Sequence, residues 1–288
     1  VGFAPGGNTD LVARITAQKL GELWGQTVIT DNRPGASGMI AGEIVAKAAP
    51  DGYTLLINNA ALATVPNLSR KPLFDPVKDL APVIQLCTQP MLLVALPSLP
   101  NNLRDVLNYA KANPGKLNYG SPAPSSANNL EMLMFMMTTG TSAQQVNYKG
   151  GAGPAMIGLL GNEVQTMFVT FSSAVTYVKS GRVRMLAAVS PERIPALPDV
   201  PTMREQGLDM VVGSWQGVYV PKGTPGTVVK KLFDVSQETM KHPEVIKRMA
   251  DSGVSIVVSK SADEFTKFWK SEHDRFAKVI RDAKIPTE

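Results

Sequence analysis

The stretch FAPGGNTDLVARITAQKL, residues 3 to 20, places a proline and two glycines directly before a helical period of apolar residues. Apolar residues recur at helical spacing as far as Trp24, and Gly25 then predicts the end of an amphipathic helix. A glycine turn before a helix exposes backbone N–H groups, and the helix N-terminus adds unbonded donors and partial positive charge. The stretch therefore fits an anion site. It equally fits a plain strand-to-helix connection capped by Asn8 or Thr9.

The next segments continue an alternation of strands and helices. TVIT at 27 to 30 predicts a buried strand, residues 41 to 48 predict a second helix, and YTLLIN at 53 to 58 predicts another strand. Such an alternation within the first 58 residues indicates a parallel sheet covered on both faces. The chain also begins in what resembles the end of a strand, so we expect further residues upstream, with a signal peptide removed or outside the given chain.

Three later turns repeat the arrangement of the first. The predicted strands KLNYGS at 116 to 121, VNY at 146 to 148 and VQTMFVT at 164 to 170 each lead through a turn into a helix. We expect all four turns, the opening one included, to lie at the carboxyl ends of parallel strands, where open α/β sheets bind their ligands.

The order of the predicted elements divides the chain into two domains. The pattern changes near residue 97, and the strand GSWQGVYV at 213 to 220 is followed by C-terminal helical segments. We therefore expect an α/β protein with a discontinuous first domain, residues 1–97 and 214–288, and a second domain, residues 98–213. On this prediction the chain crosses between the domains near 97 and 213, and a ligand cleft lies between them.

Composition excludes several classes of protein. The chain has 288 residues, enough for one large or two medium cores, and its 44% of hydrophobic residues argues against extended disorder. Its net charge of +5 comes from scattered lysines and arginines, which favours a solvated surface over nucleic-acid binding. Cys87, the single cysteine, lies in an apolar run and predicts a buried inert thiol. No run approaches the roughly 18 apolar residues of a membrane-spanning helix.

The usual signatures of catalysis are absent from the sequence. The two histidines, His242 and His273, fall in charged C-terminal segments that predict a surface position. GGAG at 150 to 153 lacks the third glycine of a dinucleotide fingerprint, and Ser214 in GSWQG stands one position too early for a nucleophile elbow. The sequence therefore predicts a protein without catalytic residues, cofactor or metal.

Seven segments occur in an order typical of one family: FAPGG-N-TD, NRPGASG, PDGYTLL, NYGSP, VNYKGGAGPAM, VKSGRVRMLAAVS and PALPDVPTMREQGL. From residue 3 to its C-terminus the chain resembles the substrate-binding proteins of tripartite tricarboxylate transporters, the Bug or TctC family of bacterial periplasmic receptors. The resemblance implies a two-lobed, type II-like binding-protein fold in which crossing strands join two α/β domains. It also implies a periplasmic monomer that delivers a small organic carboxylate to the membrane components of a transporter.

The resemblance implies that both domains supply ligand-binding residues. The first domain supplies Phe3, Pro5, Gly6, Gly7, Asn8, Thr9, Asp10, Asn58, Asn59 and Ala60. The second supplies Ser121, Ser125, Ser126, Asn128, Asn129, Lys149, Gly150, Gly151, Phe168, Thr170 and Phe171. This chain departs from the family in two places, because members often carry histidine at the position of Asn129 and acidic or amide residues at the positions of Val169 and Thr170.

Several of these residues have two interpretations. Asp10 either stabilises the first helical turn or holds a ligand amine or an ordered water. Phe168 and Phe171 belong either to the ligand pocket or to the core. Lys149 is either the cation closest to the ligand or a solvent-facing lysine of a turn.

We predict a binding protein for a small carboxylate and favour a dicarboxylate, aliphatic or aromatic. One carboxylate would bind the opening turn, the apolar body would contact Phe168 and Phe171, and the second polar end would meet the other domain. Two alternatives belong to other classes. One is the effector-sensing domain of a transcription regulator, which would need a helix-turn-helix segment for which the chain leaves no room. The other is a hydrolase or lyase that uses an Asp or Lys of the cleft.

Overall fold

The computed structural model describes residues 1–69, 71–122, 126–148, 152–194, 197–211, 213–283 and 285, apart from one side chain, that of Ser172. The helices are α1 Asn8–Trp24, α2 Met39–Ala46, α3 Ala61–Thr64, α4 Pro76–Asp79, α5 Leu103–Ala112, α6 Ala127–Thr139, α7 Ala152–Leu160, α8 Phe171–Lys179, α9 Gly226–Lys241, α10 Pro243–Asp251 and α11 Ala262–Asp282. The strands are β1 Leu56–Asn59, β2 Leu80–Ala95, β3 Asn118–Ser121, β4 Gln144–Asn147, β5 Thr166–Thr170, β6 Arg184–Ala188, β7 Gly213–Pro221 and β8 Ser255–Ile256. Short 3-10 turns lie at Ala36–Gly38, Val65–Leu68 and Arg204–Gln206.

The chain forms two compact units. Unit 1 consists of Val1–Thr88 and Trp215–Glu288, and unit 2 of Gln89–Ser214. Strand β2 runs through residues 80 to 95 and β7 through residues 213 to 221, so each strand contains residues of both units. The assignment of two separate domains around a ligand cleft stays a prediction.

The sheet of unit 1 is antiparallel. Strand β1 pairs with β7, with Leu56 opposite Tyr219, and the first half of β2 pairs with β8, with Cys87 opposite Ile256. The apolar faces of α1, α9 and α10 cover this sheet and build a core with β2 and β7. The Cys87 thiol donates to Gln216 Oε1 at 2.7 Å, and burial raises its pKa, as expected of an inert thiol.

Two expectations for this unit are wrong. Residues 27 to 30 form no strand in the described chain, and Ile29 is 81% exposed rather than buried. The segment that precedes the opening turn is also not a strand, although Val1 exchanges backbone hydrogen bonds of 2.8 Å with Asp31 and Arg33. The predicted parallel sheet therefore does not form here, because β1 takes an antiparallel partner from the far end of the chain.

The sheet of unit 2 combines both orientations. The second half of β2 pairs antiparallel with β5, with Leu93 opposite Phe168, and with β6. Strand β3 pairs parallel with β4 and with β5. Helices α6, α7 and α8 therefore each follow a strand of this parallel group, as predicted, whereas the turn residues 123–125 and 149–151 lie outside the described residues.

Candidate functional site

The opening turn ends at the N-terminus of α1. Gly7 is the N-cap residue, and neither Asn8 nor Thr9 caps the helix with its side chain, so that expectation is wrong. The carboxylate of Asp10 instead bonds the turn before the helix, since its Oδ2 accepts the backbone N–H of Gly6 at 2.9 Å. Gly6 has a φ of +83°, a conformation that favours glycine. The turn is thus held by a side chain from inside the helix that follows it.

Backbone donors at this helix end remain unbonded. Within the described chain, Leu11 supplies the first bonded N–H, to Gly7 O at 2.9 Å, and the N–H groups of Asn8, Thr9 and Asp10 have no acceptor. The side-chain nitrogen of Asn8 is also buried without a partner among the described residues. Consecutive unbonded donors at the positive end of a 17-residue helix are what an anion requires.

Asp10 is occupied by the protein itself. It is 3% exposed, and besides Gly6 its oxygens accept from Arg14 Nε at 2.9 Å and from Asn32 Nδ2 at 2.8 Å. Burial alone raises its pKa, but the hydrogen bonds from Arg14, Gly6 and Asn32 outweigh burial and lower the pKa to about 2. The structure shows Asp10 as an ionised residue that stabilises the opening turn. Direct contact of Asp10 with a ligand stays a prediction.

The end of β1 reaches the same turn. Asn59 Nδ2 donates to Thr9 Oγ1 at 3.4 Å, so Asn59 lies beside the α1 N-terminus. Asn58 and Ala60 are buried, and Asn58 Nδ2 donates to the carbonyl of Gly38 at 3.3 Å. Asn58 therefore supports the loop around Gly38 rather than facing solvent.

Sequence reasoning missed the contribution of this loop and of Asn32. Four consecutive residues, Gly35 to Gly38, have positive φ, and a Cβ on Gly38 would lie 2.9 Å from Asn58 Nδ2 and 3.2 Å from Phe3 Cε2. The motif NRPGASG contains both Asn32 and Gly38, so the signal was present in the sequence. Ala36 and Ser37 hold left-handed backbone at an exposed position, which is strained for residues other than glycine.

In unit 2, Ser126 stands directly before α6. Its Oγ accepts the N–H of Asn129 at 3.3 Å as the N-cap of α6. Asn129 is 2% exposed and accepts from the Tyr119 hydroxyl at 2.6 Å, while Asn128 Nδ2 donates to Phe168 O at 2.8 Å. Both amides therefore hold α6 against the sheet.

Hydroxyl groups lie at the ends of β3 and β5. Ser121 is fully buried, and its Oγ accepts from Gln145 Nε2 at 2.7 Å, which brings Gln145 of β4 to the predicted site. Nothing in the sequence around Gln145 indicated that it belongs to the site. Thr170 precedes α8 as its N-cap residue, and its hydroxyl lies 3.0 Å from that of Ser173.

Phe168 belongs to the core and not to a ligand pocket. Its side chain is fully buried and packs edge-to-face on Phe135, with 5.9 Å between ring centroids. The pocket interpretation of Phe168 is therefore wrong, because its place in β5 turns the ring towards α6. Phe171 is half-buried and packs against a second apolar cluster of unit 2.

Four predicted site residues, namely Ser125, Lys149, Gly150 and Gly151, lie outside the described residues. Both histidines are half-buried rather than on the surface, and His273 Nδ1 lies 3.2 Å from Ala63 O. Among the described residues, no group of three or more His, Cys, Asp and Glu side chains is placed to hold a metal ion. None of the helices described is long and apolar enough to cross a membrane.

Residues 12–285 match the family described as tripartite tricarboxylate transporter family receptors. The chain belongs to this family. Membership confirms the resemblance seen in the seven sequence segments, and it makes the chain one of a family of receptors.

Solved structures of similar proteins agree with this assignment. Rpa4515 of R. palustris, solved with adipate, is 31% identical with a TM-score of 0.83, and the match covers 99% of this chain and 96% of that one. The periplasmic binding protein BugD is 33% identical with a TM-score of 0.80, over 99% and 96% of the two chains. MatC of Rhodopseudomonas palustris, solved with malate, is 31% identical with a TM-score of 0.77, over 97% of each chain. These matches show the periplasmic binding-protein fold.

Proposed function

We propose that this protein is a periplasmic receptor that binds a small organic dicarboxylate and delivers it to the membrane components of a tripartite tricarboxylate-type transporter. The observation that carries the proposal is the row of unbonded N–H groups at Asn8, Thr9 and Asp10. Adipate and malate, the ligands of two structural neighbours, are both dicarboxylates and support this ligand class. The periplasmic location is supported by the family and by BugD.

The chemistry of the opening turn suits a carboxylate. A hydrogen bond to a charged group contributes about 1.5 to 3 kcal/mol. Three or four such bonds, after the costs of ordering the ligand, reach the roughly −8 kcal/mol of a micromolar complex. Neutral donors are therefore sufficient to bind one carboxylate at this helix end.

The state of Asp10 favours ligand binding over catalysis. Asp10, the acidic residue of the opening turn, has a pKa of about 2 and accepts hydrogen bonds from Arg14, Gly6 and Asn32, which suits neither a general base nor a general acid near neutral pH. We therefore expect every bound ligand to be returned intact. Recovery of unchanged carboxylate after overnight incubation, measured by proton NMR, tests this point, and any product would indicate the hydrolase or lyase alternative.

The proposal is tested by calorimetry on a series of mono-, di- and tricarboxylates and aromatic acids. We expect a dicarboxylate to bind at least about tenfold more tightly than citrate, because the predicted site residues include no arginine and an unpaired buried anionic group costs several kcal/mol. A lower dissociation constant for citrate would contradict the choice of ligand class. Absence of binding throughout the series would contradict the receptor function itself.

A further inference from the structure

The opening turn places a negative side chain beside the donors proposed for the ligand. Asp10 lies in the first turn of α1, next to Asn8 and Thr9, whose N–H groups are unbonded in the described chain. A carboxylate there repels a second carboxylate unless its charge is compensated nearby. An anion site at this helix end therefore depends on what surrounds Asp10.

The side chains of Asp10, Arg14 and Asn32 form a closed triangle of hydrogen bonds. Arg14 Nε donates to Asp10 Oδ2 at 2.9 Å, and Asn32 Nδ2 donates to Asp10 Oδ1 at 2.8 Å. Arg14 Nη2 donates in turn to Asn32 Oδ1 at 3.0 Å. Every oxygen of the carboxylate is thus bonded, and the side chain of Asp10 is 4% exposed while that of Arg14 is 51% exposed. The carboxylate of Asp10 is therefore buried, whereas the side chain of Arg14 is half exposed to solvent.

The triangle also holds the backbone of the turn. Asn32 Nδ2 donates a second bond, to Phe3 O at 2.9 Å, and Asp10 Oδ2 accepts the N–H of Gly6 at 2.9 Å. Phe3 and Gly6, on either side of Pro5, are therefore bonded to the same pair of side chains. A change at the triangle acts on both the charge and the shape of the turn.

We propose that Arg14 and Asn32 are positioning residues of the ligand site, which hold the Asp10 carboxylate inward and compensate its charge so that the α1 N-terminus accepts an organic carboxylate. This inference rests on the proposed function above. Arg14 and Asn32 act through Asp10 and the turn, and they need not touch the ligand.

The charged groups that face Asp10 are few. Within the described chain, Arg14 faces it from its own helix and lowers its pKa. Asp31 and Arg33 lie on the neighbouring segment and pair with each other at 3.0 Å, with both side chains exposed. Arg33→Met therefore removes a nearby positive charge without changing the triangle, and it is the matched control.

The test measures adipate and malate affinity by calorimetry for the wild type, Arg14→Met and Arg33→Met. At about pH 8 we expect Arg14→Met to bind at least about tenfold more weakly than Arg33→Met, because the Asp10 charge is then uncompensated.

Two further variants separate charge from folding. Arg14→Lys keeps the charge and should stay within about threefold of the wild type, and Asp10→Asn with Arg14→Met removes both charges and should recover most of the lost affinity. Circular dichroism checks that each variant is folded. Where Arg14→Met does not fold, Arg14→Gln makes the same comparison, since its amide donates without a charge.

The outcomes distinguish this inference from the proposed function. Binding by the wild type together with equal affinities of Arg14→Met and Arg33→Met would overturn the role of Arg14 alone. A double variant as weak as Arg14→Met would likewise overturn charge compensation. Absence of adipate and malate binding by the wild type, with no other carboxylate bound, would overturn both.

Discussion

Asp10 keeps its negative charge in a position that is 3% exposed to solvent. Hydrogen bonds from Arg14, Gly6 and Asn32 outweigh the cost of burial and lower its pKa from 3.8 to about 2. A group whose pKa is lower in the folded than in the unfolded state stabilises the fold above the unfolded pKa. That stabilisation is lost as the pH falls through the folded pKa.

Asp10→Asn should lower the free energy of unfolding at pH 7 by about 2 to 3 kcal/mol, the amount that corresponds to a shift of roughly two pKa units. The difference from the wild type should fall to about half near pH 3 and vanish below about pH 2. Urea denaturation of both proteins at several pH values measures this. A constant difference across that range would show that the loss comes from geometry and not from the charge.

At the scale of elements, the α1 N-terminus combines a turn that contains Gly6 and Gly7 with N–H donors that have no acceptor within the described chain. Gly7 has an ordinary φ of −77°, and a Cβ on it would lie 3.5 Å from Ala4 O, a normal van der Waals contact. A larger side chain at Gly7 is therefore compatible with the fold. We expect the larger side chain to hinder a ligand that binds at the N-terminus of α1.

Gly7→Val should abolish carboxylate binding and leave the protein folded, because the valine methyl groups occupy the approach to the unbonded N–H groups. Gly226 offers the matched control, since it begins α9 and a Cβ on it meets no atom within 4 Å. Calorimetry with adipate and circular dichroism compare Gly7→Val with Gly226→Val. Native spectra with unchanged adipate affinity in both would mean that the opening turn is a plain connection.

At the scale of the whole molecule, the chain consists of two compact units, and predicted ligand-binding residues occur in each of them. The predicted hinge lies near residues 97 and 213, and strands β2 and β7 contain residues of both units. A receptor whose ligand contacts two domains is stabilised in a closed form by that ligand. Ligand binding should also add about 2.7 kcal/mol of stability at 100 times the dissociation constant.

We predict that a saturating dicarboxylate decreases the radius of gyration of this protein. The reason is that a ligand bound by residues of both units favours the more compact form. Small-angle scattering with and without ligand measures the change, and Gly7→Val under the same conditions is the control. An unchanged radius for a ligand whose binding calorimetry has established would contradict closure.

Local patterns were enough to predict much of the fold. The helices α1 and α2 follow from apolar residues at helical spacing, and Gly25 ends α1 in left-handed backbone as expected. The succession of a strand and a helix at β3, β4 and β5 follows in the same way. These features depend on residues three or four positions apart or on a single glycine, so they are readable in one segment of sequence.

The amino-acid sequence by itself determined the family, the helices and the position of the opening turn, because each depends on contiguous residues. Only the tertiary structure decided the strand partners and the partners of the site residues. Residues 27 to 30 have the composition of a strand but remain unpaired in the described chain, since β1 pairs with β7 instead. Asn32 reaches Asp10 from 22 residues along the chain, and Phe168 is buried against α6. Such contacts are chosen by packing between distant segments, which no local pattern encodes.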